Sequence, residues 1–109
     1  MRRGDIVTVA APGDYGKPRP AVVVQTDLLN DTHRSIVVCL VTSTVLDAPL
    51  FRVTVEHSPQ NGLERQSQIM VDKLVSVRRE KIGRRLGSLD DDTLLRLGRS
   101  LAFVLGMGA

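Results

Sequence analysis

The sequence predicts a single α+β domain over residues 1–109, in which a small curled antiparallel β-sheet or SH3-like barrel precedes a C-terminal α-helix. Three observations support this fold class. Five or six short segments rich in β-branched residues occupy most of the chain. Clusters of Gly, Pro, Asn and Asp separate these segments and indicate turns. Apolar residues recur at helical spacing in the final segment, so we expect a helix to close the domain.

The first strand is predicted over Asp5–Ala10, since the sequence DIVTVA is rich in β-branched residues. A Pro-Gly-Asp sequence then indicates a loop over Ala11–Lys17. Tyr15, the only tyrosine of the chain, lies in this loop, where it either packs over the mouth of the sheet or stacks on one base. A second loop, with one helical turn, is predicted over Thr26–Arg34.

Arg19 stands between two prolines at the start of the second predicted strand. Pro18 and Pro20 each fix their own φ near about −65° and push the preceding residue toward extended geometry, so the backbone around Arg19 is nearly preset. The apolar run Ala21–Val24 is typical of a strand that is buried on both faces. Arg19 is then either an ordinary solvated cation or a guanidinium held at the rim of the sheet to receive a phosphate.

The second long apolar run, Ser35–Thr42, predicts a central buried strand because it is short and rich in β-branched residues. Its end brings three hydroxyl groups together at Thr42, Ser43 and Thr44. If this strand pairs with the preceding one, the end of one lies beside the start of the other. Thr42 would then lie near Arg19.

The middle of the chain predicts three further short strands. Phe51–Glu56 alternates, with its apolar residues inward and its polar residues outward, as in a half-exposed antiparallel strand. Ser67–Asp72 and Leu74–Val77 predict two short strands around Asp72 and Lys73.

A basic segment and an acidic start precede the predicted helix. The basic segment is either a solvated face or a patch that contacts phosphates. Ser88 and Asp91 fit a capping box, and the aspartates at 90–92 complement the positive end of a helix dipole. We expect the helix to run to about Leu105, and Leu101–Gly108 to be mainly packing surface. The basic residues are Arg78, Arg79, Lys81, Arg84 and Arg85, and the apolar stripe is Leu94, Leu97, Leu101, Val104 and Leu105.

Composition and charge exclude several classes of function. A net charge of +3 permits polyanion binding, but with 3% aromatic residues and no Trp we do not expect the protein to bind nucleic acid by stacking bases on an aromatic platform. Cys39 lies in an apolar run and is expected to be a buried structural thiol. His33 and His57 are far apart, so no metal or other cofactor is expected.

The sequence has no P-loop, nucleophile elbow, signal peptide or membrane-spanning run, and we expect a cytoplasmic protein without a membrane partner.

RNA cleavage without a metal ion is a reaction that the remaining residues could support. It uses the 2′-hydroxyl as an internal nucleophile, and it needs a proton acceptor, a donor for the leaving 5′-oxygen, and cations or hydroxyls on the phosphorane. Arg19 and Thr42 could bind the phosphate, and Asp72 or a histidine could move protons.

Five segments resemble, in the same order, the MazF/PemK/Kid family of toxins from type II toxin–antitoxin systems. They are RRGDIVTVA, GKPRPAVVVQTD, VVCLVTST, LERQSQIMVDKLVSVRREKIG and the closing helix with its acidic start. The resemblance implies sequence-specific, metal-independent cleavage of single-stranded RNA to 2′,3′-cyclic phosphate and 5′-hydroxyl ends. It also implies a symmetric homodimer, and an antitoxin that binds and blocks the active groove.

The resemblance implies catalytic roles for three residues. Arg19 matches the arginine of the family's R-P-A/V motif, Thr42 matches the threonine that ends the following core strand, and Asp72 matches an acidic residue of the Kid-like branch. The loop before Arg19 lacks the Gly-Ser-Glu-Gln sequence of many members, and Met70 replaces a second functional arginine of the Kid-like branch. The residues expected to contact RNA are Tyr15, Lys17, Ser43 and Thr44.

Two other functions stay open at this point. CcdB, the gyrase-poisoning toxin, shares this fold class without cleaving RNA, so the chain could be a non-catalytic protein binder. That function would need binding residues in the terminal helix. The chain could also be a degenerate toxin or a plain basic domain that binds nucleic acid without turnover, in which case RNA affinity would depend on salt and no product would form.

Overall fold

A computed structural model describes residues 1–10 and 17–108, so Tyr15 and most of its predicted loop lie outside the described residues. Within these ranges the chain forms a sheet of six strands, two α-helices and one 3-10 turn. In chain order these are β1 (Asp5–Val9), β2 (Arg19–Val23), α1 (Asp27–Asn30), β3 (Ser35–Thr42), β4 (Arg52–Val55), β5 (Ser67–Arg78), the 3-10 turn (Arg79–Lys81), β6 (Ile82–Ser88) and α2 (Asp91–Val104).

All six strands belong to one antiparallel sheet, in the spatial order β4-β5-β3-β2-β1-β6. The long strand β3 pairs with β2 on one side and with β5 on the other. Among the described residues, the edge strands β4 and β6 do not pair with each other, so the sheet is not closed into a barrel. The predicted curled antiparallel sheet with a C-terminal helix is therefore confirmed in its open form.

Both faces of the central strands are buried, as the continuous apolar runs predict. Ala21, Val22 and Val23 have no exposed surface. Val22 belongs to the apolar cluster that includes Leu97 of α2. Ala21 and Val23 belong to a second cluster, whose buried members all lie on β1, β2, β3 and β5. Successive residues of one strand thus support two separate halves of the core.

The two short strands predicted around Asp72 and Lys73 are one continuous strand, β5, so that prediction is wrong. β5 pairs with β3 on both sides of a shift in register. Between the two paired stretches β3 contributes Leu40 and β5 contributes residues 70–73, which form a bulge. In the sequence, the polar pair Asp72 and Lys73 between two apolar runs indicates a break between strands. In the structure, pairing with the long strand β3 holds both halves of β5 in one strand.

The two edge strands also differ from prediction. β6 lies within the basic segment, for which no strand is predicted, and its Arg84 and Arg85 are exposed. Backbone hydrogen bonds to β1 form this strand, and they do not require apolar side chains. β4 begins at Arg52, so Phe51 lies in the preceding turn and is 38% exposed, whereas Val53 and Val55 are buried as predicted.

α2 begins after Asp90, whose carboxylate accepts a hydrogen bond from the backbone N–H of Thr93 at 3.1 Å. The predicted capping box of Ser88 and Asp91 is therefore wrong. Ser88 does not cap the helix because it is the last residue of β6, opposite Asp5 of β1. The hydrogen bonds from Thr93 lower the pKa of Asp90, so the cap is charged at neutral pH.

The apolar stripe of α2 is only partly covered by the sheet. Leu97 is fully buried, and Leu101 packs against the core in part. Beyond it, Phe103, Leu105 and Met107 are 52%, 53% and 80% exposed, so within one copy of the chain the sheet does not cover this end, contrary to the prediction of a packing surface. A helical stripe predicts burial, but it does not tell whether the sheet or another molecule covers it.

Among the described residues, no helix is long and apolar enough to span a membrane.

Cys39, the only cysteine of the chain, is buried as predicted. Burial, with a further contribution from the negative charge of Asp72, raises the pKa of its thiol to about 12. We therefore expect the native protein to resist alkylation by iodoacetamide at pH 8, where about 1 thiol in 10,000 is ionised. Mass spectrometry checks this, with guanidinium-unfolded protein as the reactive control. Rapid modification of the native protein would contradict the prediction.

Candidate active site

A hollow of about 440 Å³ lies where β1, β2, β6, the end of β3 and the β4–β5 loop meet. The apolar side chains of Val41, Leu63 and Leu86 line it together with hydroxyl, guanidinium and carboxylate groups. A concave site with an apolar lining and a few converging polar groups is typical of a ligand-binding site.

Arg19 and Thr42 both line this hollow, as the predicted strand pairing requires. Arg19 is the first residue of β2, where it is half-buried and lies opposite Val9 of β1. β2 and β3 are antiparallel, with Ala21 opposite Leu40, so the start of β2 lies beside the end of β3. The prolines on both sides of Arg19 line the hollow too. The sequence thus predicts correctly that these two residues lie at one site.

Of the other residues predicted to contact RNA, only some line the hollow. Ser43 lines the hollow beside Thr42. The hydroxyl oxygen of Thr42 accepts a hydrogen bond from the backbone N–H of Thr44 at 3.1 Å, which leaves the hydroxyl hydrogen of Thr42 to donate to a ligand. Thr44 and Lys17 are exposed and do not line the hollow. Their roles, and that of Tyr15, stay predictions.

Asp72 does not line the hollow. It lies in the bulge of β5, where its charge acts on the thiol of Cys39 in the middle of β3, whereas Thr42 ends that strand. His33 and His57 also lie outside the lining. The predicted part of these residues in proton transfer stays a prediction, but the structure does not place them with Arg19.

Five charged or polar residues of the hollow are not among the site residues predicted from the sequence. They come from three separate parts of the chain, which pairing of β6 with β1 and folding of the β4–β5 loop bring together. The backbone N–H of Arg84 donates to the hydroxyl of Thr8 at 3.0 Å, and this contact joins β6 to β1 at the hollow. In the sequence, the basic segment is the signal for Arg84. The five residues are Thr8, Glu64, Arg65, Ser67 and Arg84.

The arginines of the basic segment have different surroundings. Arg79 donates hydrogen bonds to the backbone carbonyl oxygen of His33 at 2.7 and 3.0 Å and so supports the turn that follows α1. Arg85 forms an ion pair with Asp5 at 3.2 Å. Arg84 lines the hollow. The segment is therefore neither a uniform solvated face nor a uniform phosphate-binding patch.

Arg19, Arg65 and Arg84 give the hollow three guanidinium groups, against a single carboxylate from Glu64 among the described residues. Guanidinium groups bind the oxygens of a phosphate through paired hydrogen bonds, and a hydroxyl adds a further donor. Within residues 1–10 and 17–108, no group of three or more His, Cys, Asp and Glu side chains could hold a metal ion. The arrangement suits an anionic ligand such as a phosphodiester.

Fold and hollow together define a small basic protein whose hollow is lined by arginines and by residues with hydroxyl groups. The chain belongs to the family described as PemK-like, MazF-like toxin of type II toxin-antitoxin system, which it matches over residues 2–105. This family membership confirms the resemblance seen in the sequence.

The chain is similar to other proteins over almost its whole length. It is 42% identical over 108 residues to the "Probable endoribonuclease MazF" of Mycolicibacterium smegmatis, covering 98% of each protein. An endoribonuclease in complex with its cognate antitoxin from Mycobacterial species has the same fold, with a TM-score of 0.82 at 20% identity over 100% of this chain and 98% of that one. MazE-MazF (Form-III) from Deinococcus radiodurans matches with a TM-score of 0.79 at 24% identity, over 99% and 98% of the chains.

Proposed function

We propose that this toxin is a sequence-specific, metal-independent endoribonuclease that cleaves single-stranded RNA. The observation that carries the proposal is the meeting of Arg19 and Thr42 at one hollow, from the start of β2 and the end of β3. The identity of 42% to a relative named as a probable endoribonuclease supports the same activity. Cleavage of mRNA in this way would stop translation and growth.

The proposed reaction is an internal transesterification. The 2′-oxygen attacks the adjacent phosphorus and the bond to the 5′-oxygen breaks, which leaves a 2′,3′-cyclic phosphate and a 5′-hydroxyl. Negative charge grows on the phosphoryl oxygens in the transition state, so donors that are already in place there bind the transition state more strongly than the substrate. Arg19 supplies a guanidinium for this charge, and Thr42 supplies a hydroxyl hydrogen.

The partners of the proposed toxin are a single-stranded RNA substrate, a cognate antitoxin and a second copy of the chain. Two structures of similar fold contain an antitoxin or MazE, which supports the antitoxin as a partner. Phe103, Leu105 and Met107 expose apolar surface at the end of α2, and such a surface supports the homodimer.

The proposal is tested by incubating the purified protein, free of antitoxin, with a pool of long transcripts of varied sequence in EDTA. We expect discrete cuts at one recurring short sequence. The downstream fragments should accept phosphate from polynucleotide kinase without prior phosphatase treatment, because their 5′ ends carry hydroxyl groups. Fragments with 5′-phosphate ends, or cleavage that requires an added metal ion, would contradict the mechanism.

An intact transcript pool would instead favour one of the two other functions. Salt-dependent RNA binding without cleavage would indicate a nucleic-acid-binding domain. No RNA binding would favour a protein binder of the CcdB type, for which the exposed apolar end of α2 offers a surface.

A further inference from the structure

Metal-free RNA cleavage needs a group that accepts the proton of the 2′-hydroxyl, and this group must lie within reach of the reacting phosphate. Asp72, His33 and His57 do not line the hollow that holds Arg19 and Thr42. Among the described residues that do line it, Glu64 is the only one with a carboxylate or an imidazole.

The backbone around Glu64 is held firmly, although its side chain is exposed. Leu63, on one side, packs against the main apolar cluster. Arg65, on the other side, is held through its carbonyl oxygen, which accepts a hydrogen bond from the hydroxyl of Ser67 at 3.0 Å. Glu64 therefore lies at the hollow between a packed residue and a hydrogen-bonded one.

The turn that precedes Glu64 is also fixed. Asn61 is 5% exposed, and its side chain binds the backbone N–H of Leu63 at 3.0 Å and the carbonyl oxygen of Glu56 at 2.8 Å. Gly62 has a φ of 70°, and a Cβ atom there would lie 2.1 Å from the carbonyl oxygen of Leu86. Since only glycine fits this approach, the turn is closely packed on β6. This packing pre-organises the hollow for a reaction.

The charges of the hollow favour a reactive carboxylate beside a bound phosphate. Arg19, Arg65 and Arg84 line the hollow with Glu64, so its positive groups outnumber its one negative group. An RNA phosphate would still be attracted, although it lies near a carboxylate. A guanidinium group has no acceptor site for a proton, so among the described residues of the hollow Glu64 carries the one carboxylate that can act as a base.

We propose that Glu64 is the catalytic residue that accepts the 2′-hydroxyl proton, an assignment that rests on the proposed nuclease function. The 2′-oxygen–hydrogen bond breaks and its proton passes to a carboxylate oxygen of Glu64. The 2′-oxygen forms a bond to phosphorus, and the bond from phosphorus to the 5′-oxygen breaks. The 5′-oxygen keeps that electron pair and takes a proton from water. Glu64 then returns its proton to solvent.

The first test compares Glu64→Gln with wild type in single-turnover cleavage of the same RNA at saturating protein. We expect the cleavage rate to fall about 10²- to 10⁴-fold, the usual contribution of one general base, with little change in RNA affinity. Glu80→Gln is the matched control, since Glu80 is an exposed glutamate that pairs with Arg78 on the surface at 3.4 Å, outside the hollow. It should cleave at the wild-type rate.

The dependence of the rate on pH separates a proton acceptor from a merely structural residue. The wild-type rate should fall at acid pH as the carboxylate becomes protonated, and Glu64→Gln should lose this fall. In Glu64→Ala, added formate should restore part of the cleavage, because formate can take the place of the missing carboxylate. A positional role of Glu64 would give neither result.

The outcomes separate this assignment from the nuclease proposal itself. If the wild-type protein cleaves RNA and Glu64→Gln has the same rate and the same pH profile, the role of Glu64 is overturned and the nuclease proposal stays intact. The same holds if Asp72→Asn, and not Glu64→Gln, removes the acid limb of the profile. Failure of the wild-type protein to cut any transcript would overturn both.

Discussion

Replacing Arg19 with alanine is expected to lower the rate of RNA cleavage by about 10²- to 10³-fold, equivalent to about 3–4 kcal/mol of transition-state stabilisation. The reason is that Arg19 meets Thr42 at the hollow, where it would donate to the phosphoryl oxygens as their negative charge grows. The measurement is single-turnover cleavage of one mapped transcript in EDTA, with wild type and variant in parallel.

Two further variants sharpen this result. Arg19→Lys keeps the positive charge but loses the planar pair of donors, so its rate should lie between those of wild type and Arg19→Ala. Arg99→Ala removes a cation from the exposed surface of α2, outside the hollow, and should cleave like wild type.

The fold of Arg19→Ala should be preserved, because the backbone of residue 19 pairs with Val9 whatever its side chain. Circular dichroism and the thermal midpoint check this. A folded Arg19→Ala protein that cleaves at the wild-type rate would remove Arg19 from the active site.

Replacing Leu97 with alanine is expected to lower the free energy of unfolding by about 2–5 kcal/mol. Leu97 is fully buried and is the one buried residue of α2 within the described chain, where it joins the cluster formed with β-strand residues. Its loss leaves a cavity beneath the helix. For a domain of this size, whose total stability is typically about 5–15 kcal/mol, the loss is large. Urea denaturation followed by circular dichroism measures it.

Leu95 provides the matched control on the same helix. It is 55% exposed, so Leu95→Ala should change the free energy of unfolding by no more than about 0.5 kcal/mol. The two variants have the same change of residue type and nearly the same helix propensity. Equal effects of the two substitutions would show that α2 does not pack on the sheet through Leu97.

The core strands and one half of the candidate site could be predicted from local sequence. β3 has the predicted bounds Ser35–Thr42, because a run of β-branched residues limited by polar ones has few other stable arrangements. The placement of Arg19 beside Thr42 needs only the assumption that the two most apolar strands are neighbours. Antiparallel pairing then brings the start of one to the end of the other.

The rest of the site depends on contacts between distant parts of the chain. Glu64 lies in a polar stretch, and its sequence neighbours do not show that the turn at Gly62 packs on β6. Arg84 lies in a segment without strand character, and its place at the hollow follows from pairing with β1. Asp72 is the opposite case, because it lies in the bulge of β5 and does not line the hollow that holds Arg19 and Thr42.

The sequence by itself determined the class of fold, the central buried strands, the terminal helix and the nearness of Arg19 to Thr42, because these follow from local apolar pattern and backbone restriction. The tertiary structure decided which charged residues join them, which strand carries a bulge, and which end of α2 stays uncovered. The physical reason is that apolar side chains are usually buried, so the type of an apolar residue already predicts its environment. An exposed charged residue such as Glu64 or Asp72 is equally compatible with many places on the surface.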